Sequence, residues 1–92
     1  MEYQYPFSMD WSSDEVIEVI QFFQIVEKAY EMGINRDELM QSYRKFKMIV
    51  PSIAEEKKYG REFEEASGYS LYKTIQKAKS SQSNELIRMR SE

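Results

Sequence analysis

A chain of 92 residues without cysteine builds one domain that no disulfide can staple. A formal net charge of −3 removes the bulk attraction that draws basic proteins to nucleic acid; the lack of histidine and cysteine removes the commonest general base, the thiolate nucleophile and the two principal zinc ligands. No apolar run approaches the ~20 residues that span a bilayer, and Met1–Pro6 holds no basic segment followed by an apolar one, so the expected location is the cytoplasm.

Residues 1–11 read as an aromatic arm. Pro6 biases Tyr5 toward an extended backbone, and Tyr5, Phe7 and Trp11 are expected to pack on the domain, with docking on a partner as the alternative. Ser12 and Glu15 have the spacing of a capping box and open a first helix over residues 12–32. At about 100° per residue, Val16, Val19, Ile20, Phe22, Phe23, Val26, Ala29 and Tyr30 fall on one broad arc. An arc wider than the ~100° stripe of a helix that lies on a core places this helix at the centre of the domain. Ile17 and Ile25 lie off the arc and leave room for a weak homodimer. Gly33 follows the last turn, where a left-handed residue is easiest to adopt.

The same capping spacing recurs at Asn35 and Glu38 and at Ser52 and Glu55. The second helix spans residues 36–49, with a stripe of Leu39, Tyr43, Phe46 and Val50, Met40 and Ile49 at its margins, and Pro51 as its stop. The third, residues 53–67, carries the stripe Ile53, Tyr59, Phe63 and Ala66 and charge elsewhere, as an outer helix does. Gly60 inside it weakens the helix by ~1 kcal/mol relative to alanine. Close approach of another helix is the expected compensation, a kink or a ligand over the backbone the alternative. Gly68 ends this helix and Ser70 caps a fourth, residues 71–79, lined by Leu71, Ile75 and Ala78. The predicted fold is therefore an all-α domain of four helices over residues 1–79. In residues 80–92 the run Ser80-Ser81-Gln82-Ser83-Asn84 disfavours helix, yet Leu86 and Met89 keep the register of Leu71, Ile75 and Ala78. That tail is expected either as a marginal helix that orders on a partner or as a disordered segment.

Chemistry has few carriers. The pairs Asp14-Glu15, Asp37-Glu38 and Glu55-Glu56 each fall in the first turn of a helix, where the dipole accounts for them. Neither G-x-x-x-x-G-K-[ST] nor G-x-G-x-x-G occurs, and no cofactor or metal is expected. Ala66–Lys77 loosely resembles the turn and recognition helix of repressor helix-turn-helix domains. Against that, Glu64 stands where two helices would need a small residue, and the Ser-to-Thr spacing is one residue longer than the repressor pattern. Charge is uneven: Lys73, Lys77, Lys79, Arg88 and Arg90 face a single Glu85 in the C-terminal part, and the candidate interaction surface is Tyr69, Tyr72, Lys73, Lys77, Leu86 and Met89.

Several segments together resemble a known family. They are Tyr5-Pro6, Asp10-Trp11-Ser12, Phe22-Phe23 with Val26–Glu31, Tyr43 with Phe46-Lys47 and Ile49–Ser52, Ala54–Lys57, and Phe63-Glu64 with Ser67–Ser70. The pattern resembles the YktA-like proteins, small uncharacterised proteins of Gram-positive bacteria, over Tyr3 to Lys79. The resemblance implies a compact all-helical cytoplasmic domain, and it transfers no activity and no functional residue.

The leading functional reading is a non-catalytic adaptor or regulator that binds a protein partner. Nucleic-acid binding is the alternative, with Tyr69 and Tyr72 stacking on bases and Lys73, Lys77 and Lys79 on phosphates; the acidic balance of the chain disfavours it. An enzyme using Glu or Lys as its base comes third.

Overall fold

A computed structural model describes residues 4–90 as four helices and a two-stranded antiparallel sheet. In chain order these are α1 (Ser13–Glu31), β1 (Ile34–Asn35), α2 (Arg36–Ile49), α3 (Ile53–Ser67), α4 (Leu71–Lys79) and β2 (Leu86–Ile87). The parts of the expected arm and tail at residues 1–3 and 91–92 lie outside the described residues.

Each helix starts where a short polar side chain can take an orphan backbone N–H. The Glu15 N–H donates to Ser12 Oγ, and the Ser12 N–H donates to Glu15 Oε1, closing the full capping box. The Asn35 amide oxygen instead accepts from the N–H groups of both Asp37 and Glu38. Ser52 and Ser70 accept from Glu55 N–H and Lys73 N–H. Among the described helix starts, the reciprocal carboxylate bond forms at α1 alone.

The broad arc of α1 is the centre of the core. Val19, Phe22, Phe23, Val26 and Ala29 are fully buried, and both Phe22 and Phe23 touch Phe46. Phe22 stacks on Phe46 of α2 at 4.7 Å between ring centroids, while Phe23 meets Phe63 of α3 at 4.6 Å. The aromatic arm packs on this cluster: Tyr5 lies parallel to both Phe23 and Phe63, and Trp11 covers Tyr59 at 5.2 Å. Phe7 touches Trp11 edge-on but remains 53% exposed. The start of α4 is fixed to the central helix, since the Ser70 N–H donates to the Tyr30 hydroxyl at 3.0 Å. Ile25 packs against the core and Ile17 faces solvent.

Ile53 departs from its expected place. It is 67% exposed, whereas Tyr59 and Phe63 are buried. Six residues at about 100° each leave Ile53 roughly 120° around the helix from Tyr59, so it belongs to another face of α3. Gly60 departs as well. A Cβ built there would meet only Leu71 Cβ, at an ordinary 3.8 Å, so no close helix crossing demands glycine.

The tail is the larger correction. Residues 86–87 are extended rather than helical, and they pair antiparallel with β1, Ile34 opposite Ile87 and Asn35 opposite Leu86. Ile87 is fully buried, whereas Leu86, one of the two residues given by the helical register, points outward. Two conditions favour the strand. Asn84 turns the chain with φ at 65°, a conformation Asn tolerates. The backbone between α1 and α2 also offers unpaired polar groups that a helical tail could not reach. The Met89 N–H donates to Ala29 O, one of the orphan carbonyls at the end of α1, and the Arg36 N–H donates to Glu85 O. Asp37 Oδ2 accepts from the Ser83 hydroxyl and the Asn84 N–H. The Ser83 hydroxyl, with Arg36 and that N–H, holds the Asp37 carboxyl below its ordinary value.

Two predictions come from this packing. Phe23→Ala, at the junction of α1, α2 and α3, is expected to lower the stability by ~3–5 kcal/mol in urea unfolding; a loss below ~1 kcal/mol would show that the stack is not the core. Gly33 and Gly68 both have positive φ, 93° and 83°, but a Cβ at Gly33 would meet Leu86 Cδ1 at 3.1 Å, while one at Gly68 meets nothing within 4 Å. Gly68→Ala is expected to lose ~1–2 kcal/mol, the conformational cost alone, and Gly33→Ala to lose more. Adding Leu86→Ala should restore only the excess at Gly33, which a double-mutant cycle measures.

Candidate functional site

A groove of about 600 Å³ lies between α2, α3 and α4. Such a volume lies in the range of ligand and peptide pockets. It exists because α3 commits its Tyr59 and Phe63 face to the arm and to α1. Turned away from them are Ile53, Lys57, Gly60, Arg61 and Glu64, which share a second face at helical spacing and line the groove. Gly60 contributes no side chain, so the space beside Leu71 of α4, whose Cβ lies 3.8 Å from where a Cβ at position 60 would stand, is left open. Buried Leu71 and Ile75 of α4 form the floor. Ile53 on one wall and Tyr72 on the other stay 67% and 69% exposed.

One end of the groove is a polar network. Tyr43 of α2 donates its hydroxyl to Glu56 Oε2 at 2.8 Å, and Lys47 Nζ donates to Glu56 Oε1 at 2.7 Å and to Pro51 O. The ammonium of Lys79 sits over the Tyr43 ring, 5.9 Å from its centroid. Both carboxylate oxygens of Glu56 are therefore engaged, and its charge is matched by Lys47. Lys57, Arg61 and Lys79 make no ion pair among the described residues; Glu64 is likewise unpaired. The groove thus holds three unpaired cations and one unpaired carboxylate, on a chain that is acidic overall.

The six residues singled out from the sequence do not form one surface. Tyr72 alone lines the groove. Lys73 is exposed on α4 outside it. Tyr69 stacks on Tyr30 at 4.5 Å with rings nearly parallel and donates its hydroxyl to Glu31. Lys77 Nζ donates to the carbonyl of Arg88. Leu86 lies against Gly33, and Met89 is half-buried against the core. Sequence reading missed the α3 side of the groove. The signal was the spacing of Ile53, Lys57, Gly60, Arg61 and Glu64, which a count anchored on Tyr59 and Phe63 passes over.

Burial, and next the neighbouring Glu56 carboxylate, push the Tyr43 phenol well above its ordinary value of 10.0. The raised value favours the neutral phenol in the folded state. Its contribution to stability is whole below the unfolded value of about 10 and is lost as pH rises through the higher folded value. In an ultraviolet titration of the tyrosines, Tyr43 is expected to ionise among the last, and only as the fold gives way. Tyr43→Phe should remove its share of that late component, leaving the part due to Tyr5 and Tyr69, whose phenols burial also raises.

No helix among the described residues is long and apolar enough to cross a membrane. A family model described as an uncharacterised protein family, UPF0223, matches residues 2–87. The UPF0223 protein of Bacillus cytotoxicus is 55% identical over 97% of this chain and 100% of its own length. That of Lysinibacillus sphaericus is 52% identical over 97% of this chain and 94% of its own. The UPF0223 protein YktA of Bacillus subtilis is 57% identical over 88% of this chain and 92% of its own. With a family model spanning nearly every described residue and relatives matched over almost their full lengths, the chain belongs to the UPF0223 family.

Proposed function

We propose that this chain is a non-catalytic cytoplasmic module that binds another protein in the groove between α2, α3 and α4. The observation that carries the reading is the pair of large apolar side chains, Ile53 and Tyr72, left exposed on opposing walls above the buried floor of Leu71 and Ile75. An apolar trough of this kind, open to water, is a liability for an isolated monomer and an asset for one that associates. A non-catalytic role has support from the residue types. The chain holds neither His nor Cys, and both oxygens of Glu56, the half-buried carboxylate of the groove, already accept hydrogen bonds. Nucleic-acid binding through α4 has less support, because Tyr69 spends a ring face on Tyr30 and Lys77 is tied to the tail.

Gly60→Gln is the informative variant. It removes the helix penalty of glycine, ~1 kcal/mol, and places a side chain between α3 and α4 over Leu71, whose Cβ the new Cβ would meet at an ordinary 3.8 Å. Expected is a melting temperature at or above that of the wild type, together with loss of the proteins that the tagged wild type retains from a native bacterial lysate. Identical recovery by the two proteins would show that the groove is not the docking site.

A further inference from the structure

We infer that the occupant of the groove is an acidic amphipathic helix, an inference that rests on the protein-binding reading above. Charge complementarity selects the sign. Lys47 and Glu56 neutralise each other at 2.7 Å, which leaves Lys57, Arg61 and Lys79 to set the potential along the trough against Glu64 alone. Lys57 and Arg61 are one helical turn apart on α3, and Lys79 projects from α4 on the far wall. A segment lying between the walls can place carboxylates toward both. The cations are held on packed helices, so the potential is fixed before the partner arrives.

The walls select the conformation. The groove is built from α2, α3 and α4, whose backbone N–H and C=O groups are spent inside their own helices. An extended peptide would find no sheet edge to pair with and would bury unsatisfied backbone groups. A helix satisfies its backbone internally and presents apolar side chains at i, i+3 or i+4, and i+7 to a groove. Leu71 and Ile75, at that same spacing on α4, offer the floor, and Ile53 and Tyr72 close over the flanks. A small amphiphile fits less well, because buried small ligands lose most of their surface to the pocket, and walls two-thirds exposed would leave such a ligand wet.

The test is selection from a phage-displayed library of random helical peptides on the immobilised full chain, with Gly60→Gln as counter-selection. Enriched peptides are expected to carry apolar residues at helical spacing flanked by Asp or Glu. Their binding should weaken as salt rises and should fall about tenfold or more with the double variant Lys57→Glu and Arg61→Glu, two charge pairs being lost. Circular dichroism melting shows that each variant is folded. Enrichment of neutral or basic peptides that Gly60→Gln still excludes would overturn the acidic helix and leave the groove as a protein site. Acidic peptides that bind Gly60→Gln as well as the wild type, or no enrichment at all, would overturn the inference outright. Two other occupants have their own signatures. Wild-type dimerisation that Gly60→Gln abolishes would put a second copy in the groove, and Gly60-dependent binding to phosphatidylglycerol vesicles would put a membrane surface there; either displaces the acidic helix.

Discussion

The adjacent pair Phe22-Phe23 on α1 is the constraint on which the other elements depend. Consecutive helical positions differ by about 100°, so the two rings leave the helix in different directions, and Phe23 meets Phe63 while also touching Phe46 edge-on. Phe22 holds α2 through Phe46, and Phe23 holds α3 through Phe63. A single broad arc thereby organises two neighbours, which meet each other through Tyr43, Lys47 and Glu56. The arm adds a third layer, with Tyr5 lying over both Phe23 and Phe63 and its hydroxyl donating to Glu27 on α1 at 2.7 Å. A small domain buries a limited share of its surface; a cluster of large rings contributed by the arm, α1, α2 and α3 makes that share efficient.

The exit from α1 shows how one backbone feature serves several elements. Lys28 O accepts from both Met32 N–H and Gly33 N–H, and Ala29 O accepts from Met89 N–H. The left-handed Gly33 lets the chain reverse at once into β1, and β2 pairs with one edge of it. Asn35 is at the same time a strand residue and the cap of α2. The family model runs to residue 87, which is Ile87, the buried residue of β2, so family membership extends across the tail as far as the strand that closes the fold.

What was legible in the sequence was local. Caps at Ser12, Asn35, Ser52 and Ser70, the stops at Gly33, Pro51 and Gly68, and the arc of α1 each depend on residues within a few positions, and the structure carries all of them. The β1–β2 pairing was not legible, because two residues of strand give no period to read and the partner lies some fifty positions away. Leu86 and Met89 did keep a helical register with α4, but register is a permission; the turn at Asn84 and the orphan carbonyl of Ala29 decided against it. Ile53 was misplaced for a different reason. Three apolar residues fit one stripe on α3, and a fourth was drawn into it although its angular position excluded it.

The groove was the least legible feature because it is defined by what is missing. Gly60 reads in sequence as a defect in a helix, and the natural inference is a crossing so close that no Cβ fits. The structure holds Leu71 Cβ at 3.8 Å from where that Cβ would stand, a distance alanine would accept. Packing alone therefore does not require the glycine. What glycine supplies is space above Leu71, between walls that keep Ile53 and Tyr72 in water. A domain selected for stability alone would fill that space, since a larger residue at position 60 would strengthen α3 by its helix propensity and could cover exposed apolar surface. A local rule broken with no structural compensation is the pattern expected of a functional position. The electrostatics point the same way: on a chain of net charge −3, the groove lining holds Lys57, Arg61 and Lys79 outside any ion pair among the described residues, against Glu64.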